Sequence, residues 1–269
     1  MTVAIDLTGK RILVVGGSAG IGRSTALAAA GAGAAIVVVG RNKEKLAEVV
    51  STAGSGTGIS ADVTDPDRCR ELVDEAVDAL GGLDALVFST AVSPLAPLEE
   101  IDARTWHEVI ATNAIAPALV AQAAVDHLSA DGVIIFISSI STAGGYDGLA
   151  AYQASKAALD RTVRSWRSER PDRRFVCMAV GDTMGTEFAR DFDLEKAAAL
   201  FPKWLASNVI YEHQMQADDL GATIAQFVAM LLAHPTLTIP EITIVPTGGM
   251  MTGDASQLVA DMSAGLDAL

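Results

Sequence analysis

The sequence predicts a doubly wound α/β domain, a seven-stranded parallel sheet flanked on both faces by helices. Short aliphatic runs alternate with longer helical patterns almost from end to end of the 269 residues, and the first run passes straight into a glycine-rich turn. Such alternation argues for parallel strands joined by right-handed crossovers. Half of the residues are apolar yet only 5% are aromatic. Small aliphatic side chains therefore do most of the packing, as in a sheet buried on both faces.

The strands are read at residues 11–15, 35–39, 57–60, 85–89, 133–138, 175–180 and 241–245, and the helices at 20–32, 43–53, 66–80, 105–128, 150–170 and 217–233. Asp65 followed by Pro66 reads as an N-cap ahead of a first-turn proline, and Pro171 stops the fifth helix. No repeat, linker or low-complexity tract divides the chain, so residues 1–269 are read as one domain. Two segments break the rhythm. Residues 182–213 form a long insertion after the sixth strand, rich in bulky apolar side chains such as Met184, Phe188, Phe192, Phe201 and Trp204. A stretch of this length at a strand's carboxyl end reads as a lid over a binding site or as ordinary helices packed on the body. The tail at 251–269 places Leu258, Met262 and Leu266 at i, i+4 and i+8, an amphipathic helix for docking on its own body or on another subunit.

Gly16-Gly17-Ser18-Ala19-Gly20-Ile21-Gly22 joins the first strand to the first helix. Gly16, Gly20 and Gly22 allow a tight turn and a close backbone approach to a pyrophosphate, whose charge then faces a helix N-terminus. Between a first strand and a first helix, the motif is a strong signal for a dinucleotide. Ser18 either donates to a phosphate oxygen or satisfies the turn. The second strand ends at Val39-Gly40-Arg41-Asn42, the position that meets an adenosine ribose. An acid there binds the free 2′-hydroxyl, whereas an arginine suits a 2′-phosphate. Arg41 stands at this strand end and no acid does, so NADP(H) is favoured and NAD(H) remains possible. Asp62 and Val63, closing the third strand, fall beside the adenine.

Tyr152 and Lys156 stand one helical turn apart and share one helix face. An ammonium there favours the phenolate and is expected to pull the tyrosine pKa below its free value of about 10. A phenol so tuned serves as a general acid or base near neutral pH. Ser139, at the end of the preceding strand, is placed to hold a substrate oxygen beside it. The pair by itself also fits an exposed helix that meets no substrate; the glycine turn and Ser139 give it a context.

Charge and composition exclude several classes. With 19 basic and 33 acidic residues the formal charge is −14, so the chain has no general attraction for nucleic acid or anionic lipid. Cys69 and Cys177 lie far apart, which argues against a disulfide or a zinc site. His107, His127, His213 and His234 show no ligand spacing, and no metal is expected. The N-terminus has no signal pattern, and the longest apolar stretch, at 26–40, is short and broken by glycines, too little to span a bilayer. A cytoplasmic protein without a membrane partner is expected.

These features together resemble the short-chain dehydrogenase/reductase family over nearly the whole chain. The family's glycine motif matches Gly16, Gly20 and Gly22; its serine–tyrosine–lysine set matches Ser139, Tyr152 and Lys156; its helix asparagine matches Asn113. The resemblance implies a Rossmann-type domain and hydride transfer between a nicotinamide and a carbonyl or alcohol. It implies that Tyr152 protonates the carbonyl oxygen on reduction and Ser139 orients it. Lys156 would lower the tyrosine pKa and bind the nicotinamide ribose, and Asn113 would link Lys156 to solvent through a water. The cofactor-binding set is then Gly16, Ser18, Ala19, Gly20, Ile21, Arg41, Asn42, Asp62, Val63, Ala91, Gly181 and Thr183, with Tyr152 and Lys156 shared. The resemblance also implies a homotetramer or homodimer built on the helices that carry Asn113 and Lys156. With a bulky lid, the expected substrate is a small or medium apolar carbonyl compound or alcohol.

The chain departs from the family pattern at Val15, at Phe88-Ser89-Thr90-Ala91 (usually Asn-Asn-Ala-Gly), at Val180-Gly181 (usually Pro-Gly) and at Ile239-Pro240-Glu241. The second departure implies an altered wall beside the cofactor. It motivates an alternative reading, a sensor or scaffold that binds NADP(H) without turnover. Arg161, Arg164, Arg167 and Arg170 recur every three residues. They read as a dock for an acidic carrier or, because steps of three wrap half the helix, as a solvated or subunit-facing surface.

Overall fold

The computed structural model describes residues 5–252. In chain order its elements are β1 (Arg11–Val15), α1 (Gly20–Gly31), β2 (Ala35–Gly40), α2 (Lys43–Ala53), β3 (Thr57–Ser60), α3 (Pro66–Leu80), β4 (Leu83–Phe88), α4 (Ala103–Ile110), α5 (Ala116–Ala124), β5 (Leu128–Ser139), α6 (Ala150–Glu169), β6 (Arg174–Val180), β7 (Thr183–Met184), α7 (Leu194–Ala206), β8 (Met215–Gln216), α8 (Ala217–Ala233) and β9 (Glu241–Ile244). Seven of the strands form one parallel sheet in the order β3-β2-β1-β4-β5-β6-β9, and β7 pairs with β8 apart from it. The expected tail helix through Leu258, Met262 and Leu266 lies outside the described residues.

Central strands bury both faces, and alternate side chains serve opposite layers. Leu13, Val15, Val37 and Val39 pack with Leu72, Val120 and Leu159 of α3, α5 and α6. Ile12, Val14, Ile36 and Val38 pack with Ala26, Leu46 and Ile224 of α1, α2 and α8. Asp65 caps α3 as expected, its carboxylate accepting from the Asp67 N–H at 3.0 Å, with Pro66 in the first turn.

Two expectations change. The helix expected at 105–128 is split: α4 and α5 are joined by a π-helical segment, Ala111–Ile115, and Leu128 already belongs to β5. Pro117 gives the reason. It has no N–H to donate to the Asn113 carbonyl four residues back, and the chain widens to i→i+5 spacing, with the Ala116 N–H donating to the Ala111 carbonyl. β5 is also longer than expected: Leu128 pairs with Leu83 before a register shift, after which Val133 pairs with Ala85. The arginine series on α6 is largely engaged within the chain. Arg164 and Arg167 pair with Glu241, and Arg170, just past the helix end, with Asp126 and Asp172, so three of the four arginines are paired with acids of this chain.

At the sheet end opposite the strand carboxyl termini, Arg11 grips Asp84 bidentately, through Nε at 2.8 Å and a terminal nitrogen at 2.9 Å, and so staples β1 to β4. The guanidinium holds the Asp84 carboxyl down at about 2. Asp84→Asn is expected to lower stability by about 2 kcal/mol at neutral pH. A depressed carboxylate pKa stabilises fully above its unfolded value of about 3.9, and this contribution is lost as pH falls through the folded value. Denaturant melts of both proteins, stepped from neutral pH downward, should therefore converge in acid; a gap independent of pH would refute the assignment.

Candidate active site

The carboxyl ends of β1, β4, β5 and β6 open onto a cleft of about 270 Å³, at the point where the strand order reverses between β1 and β4. Open α/β sheets bind ligands at such switch points. The backbone of the glycine turn forms one wall. Gly16 and Gly17 both donate to the Val39 carbonyl, at 2.8 and 3.0 Å, tying the turn to the end of β2. Gly16 has φ +88°, and a Cβ there would lie 2.7 Å from the Thr90 backbone nitrogen. A Cβ on Gly22 would lie 2.2 Å from the Gly16 carbonyl oxygen. Helix α1 begins with no side-chain cap and no acid in its first turn, so its orphan N–H groups are left for an anion.

The Phe88–Ala91 turn, expected to alter the wall beside a cofactor, lines the cleft through Ser89, Thr90 and Ala91. The Ser89 N–H donates to the Val15 carbonyl at 2.7 Å, Thr90 fills the space above Gly16, and Phe88 turns into the core at 2% exposure. Arg41, Asp62 and Val63 line the cleft beyond the carboxyl ends of β2 and β3. Asp62 accepts from the Thr64 N–H at 2.9 Å and from its hydroxyl at 2.8 Å, which with the nearby Arg41 charge lowers its pKa. Among the described residues no carboxylate pairs with the Arg41 guanidinium.

Tyr152 and Lys156 lie on α6 facing Ser139 at the end of β5, and all three line the cleft. Lys156 is 3% exposed; its Nζ donates to the Ile137 carbonyl at 2.8 Å and lies 5.9 Å from the Tyr152 ring centre. The Ser139 hydroxyl accepts from the Ser141 N–H at 3.1 Å and donates to the Ser141 hydroxyl at 2.9 Å. Gln153 pins the following loop through the carbonyls of Ser141 and Gly144, at 2.8 and 2.6 Å.

The expected lowering of the tyrosine pKa is not what this packing produces. Burial pushes Tyr152 up to about 12, with the Ser139 hydroxyl opposing and the Asp160 charge adding to the rise. Burial also brings Lys156 down to about 8, despite the supporting charge of Asp160. Loss of water around both groups outweighs the attraction that spacing alone suggested. Asp160 itself accepts from the Ser138 hydroxyl beneath the lysine and lies 3.1 Å from Cys177 Sγ.

Of the residues expected from sequence, Gly16, Ser18, Ala19, Gly20, Ile21, Arg41, Asp62, Val63, Ala91, Ser139, Tyr152, Lys156, Gly181 and Thr183 all line the cleft. Asn42 does not; its side chain caps α2, accepting from the Lys45 N–H at 2.8 Å. Asn113 sits behind the site at 0% exposure. Its carboxamide accepts from the Val92 N–H and donates to the Val92 carbonyl, both at 2.9 Å, and donates to the Ser155 hydroxyl at 3.0 Å. It therefore fastens the loop after β4 to α6. Thr90, expected only as part of the altered wall, and Asp182, expected only as the start of the insertion, also line the cleft, together with Ser93, Ser141 and Tyr146, which sequence reasoning missed. Each follows β4, β5 or β6, and position just beyond a parallel strand is the signal that marks them.

The segment 182–213 packs beside the tyrosine. Phe192, Leu200, Phe201 and Trp204 bury with Tyr146, Leu149 and Tyr152 in a third core cluster, and the Phe188 ring meets Tyr152 edge-on at 5.3 Å. Trp204 Nε1 donates to the Asp147 carbonyl at 2.7 Å.

A model of the short chain dehydrogenase family matches residues 10–196. The chain is 28% identical over 257 residues to the short-chain dehydrogenase/reductase FrzI of Cladobotryum sp., an alignment that spans 92% of this chain and 98% of that protein. A crystal structure of a dehydrogenase/reductase from Sinorhizobium meliloti 1021 superposes with a TM-score of 0.76 at 30% identity, covering 90% of this chain and 96% of that one. A short chain dehydrogenase from Burkholderia cenocepacia J2315 in complex with NADP gives 0.76 at 26% identity, covering 90% and 98%. The matched model spans both the glycine turn and the serine–tyrosine–lysine set, and the chain belongs to the short-chain dehydrogenase/reductase family of oxidoreductases.

Proposed function

We propose that the protein is an NADP(H)-dependent carbonyl reductase or alcohol dehydrogenase acting on a small or medium substrate with an apolar body. The observation that carries this is the convergence of Ser139, Tyr152 and Lys156 with the uncapped glycine turn in one cleft. The site suits a dinucleotide: backbone N–H groups meet the pyrophosphate, Arg41 the 2′-phosphate, Asp62 and Val63 the adenosine. A nicotinamide bound there supplies the hydride or accepts it.

The chain's own residues handle the proton and the substrate oxygen. Tyr152 rests protonated, as a donor to a carbonyl oxygen must. Ser139, held by the Ser141 N–H, turns its hydroxyl hydrogen from Ser141 to that oxygen. Lys156, anchored through one N–H on Ile137, has two more for ribose hydroxyls. Both N–H groups of the Asn113 carboxamide are engaged and its oxygen already accepts from Val92, so a water relay from Lys156 would use the main-chain carbonyl of Asn113, to which Pro117 has no N–H to offer. Residues 182–213 act as the lid, with Phe188 covering Tyr152. Ile115, 49% exposed between α4 and α5, belongs to the face we assign to a homo-oligomer contact.

The test is a panel of ketones and alcohols assayed with NADP(H) and NAD(H). Reduction of at least one carbonyl by NADPH is expected; tight NADP(H) binding with no turnover would favour the sensor instead. Arg41→Ala is expected to raise the KM for NADP(H) by roughly ten- to a hundredfold, the worth of a lost hydrogen bond to a charged group, and to leave that for NAD(H) nearly unchanged. Equal loss for both cofactors would remove Arg41 from the 2′-phosphate site.

A further inference from the structure

We propose that Asp182 is a specificity-determining residue that reads a hydroxyl on a ring ketone whose carbonyl lies at Tyr152. The proposal rests on the reductase reading above and adds the substrate class. Asp182 follows the end of β6 by two residues, and β6 pairs with β5 so that Val180 stands opposite Ser139. The aspartate therefore flanks the oxygen-holding serine, and it lines the cleft. Its position is fixed from both sides: Oδ2 accepts from the Tyr211 N–H at 3.2 Å, and its main-chain carbonyl accepts from the Met215 N–H at 2.9 Å.

No cation answers this carboxylate. Among the described residues no lysine, arginine or histidine lies within ion-pair distance of it, and of the cations that line the cleft Lys156 donates to the Ile137 carbonyl and Arg190 pairs with Glu187 and Asp191. Burial raises its pKa, with only the Tyr211 N–H acting the other way. A desolvated carboxylate with a single bond is unfavourable unless a ligand donates to it. On the other flank of Ser139, the loop after β4 presents Ser93, 8% exposed, whose hydroxyl has no hydrogen-bond partner. Leu149, Phe188 and Trp204 add apolar surface to the same cleft. The ligand that answers all of this has apolar ring faces and a hydroxyl toward Asp182, with polar substitution tolerated toward Ser93. A substrate carrying its own carboxylate at that end meets a like charge.

The probes are cyclohexanone, the hydroxycyclohexanones and oxocyclohexanecarboxylate, assayed with NADPH on the full chain. A hydroxylated ketone is expected to have a KM about ten- to a hundredfold below that of cyclohexanone, and the carboxylate the poorest. Asp182→Ala should collapse the difference between hydroxylated and plain ketone. Asp182→Asn, which keeps an acceptor for the Tyr211 N–H, should relieve the penalty on the carboxylate. An unchanged KM ratio in Asp182→Ala overturns the proposal, as does an effect confined to the KM for NADPH, which would place the carboxylate on the cofactor side. A parallel titration needs no turnover: cyclohexanediol and cyclohexanol are bound to the wild type and to Asp182→Ala in the presence of NADPH, which cannot oxidise them, followed by tryptophan fluorescence. Diol preference that depends on Asp182, without turnover of any ketone, would sink the reductase reading alone; turnover without that preference would sink only the role of Asp182.

Discussion

Tyr152→Phe is expected to lower kcat by between about a hundredfold and ten-thousandfold, the range for loss of a positioned general acid, while NADP(H) binds with nearly its original affinity. The substitution removes one hydroxyl and leaves the ring where it packs, at 6% exposure among Leu149, Phe192 and Trp204. No cavity forms, so stability should change little. The phenol is also the group whose protonation the cleft controls, since burial holds it at about 12. Steady-state turnover on the best ketone, with cofactor affinity from fluorescence titration, separates chemistry from binding. A fully active Phe variant would overturn the assignment of Tyr152 as the proton donor.

Gly22→Ala is expected to lower NADP(H) affinity by more than tenfold and to destabilise the fold by about 1–3 kcal/mol, the usual effect of overpacking. The new methyl would sit 2.2 Å from the Gly16 carbonyl oxygen. That contact is with backbone, so no rotamer change relieves it; either α1 or the turn must move. Movement of either displaces the uncapped N–H groups that face the cleft. Thermal melts with and without NADP(H) would register both effects, and a variant that keeps its ligand-induced stabilisation would show that the close approach is not needed for binding.

Much of this architecture is legible along the chain because it depends on neighbours in sequence. β1, β2 and β3 begin where their aliphatic runs begin, and Asp65 and Pro66 set the start of α3 within a single turn. The glycine turn is legible for the same reason, since its conformation and the following helix end are local. Less was visible where a local reading competes with a tertiary one. The run at 105–128 has continuous helical periodicity, and only the missing N–H of Pro117 hints at the π segment. Asn42 stands where a ribose contact is expected, yet its side chain caps α2. Asp182 opens the segment expected as a lid, and only the fold gives its carboxylate a fixed place at the cleft, through the Tyr211 N–H.

By itself, then, the sequence determined the α/β class, the strand and helix series, the phosphate-approaching turn and the residue types of the proton-transfer set. Each is written in spacing of two, three or four residues, or in a φ that only glycine accepts readily. The tertiary structure alone decided the strand order with its switch at β1 and β4, the sealing of Gly16 by Thr90, and the committed side chain of Asn113. It also decided the direction in which the Tyr152 pKa moves, upward by burial where spacing suggested a fall. Desolvation depends on everything packed around a group, here α7 and its aromatic neighbours as much as Lys156, and no helical spacing records it.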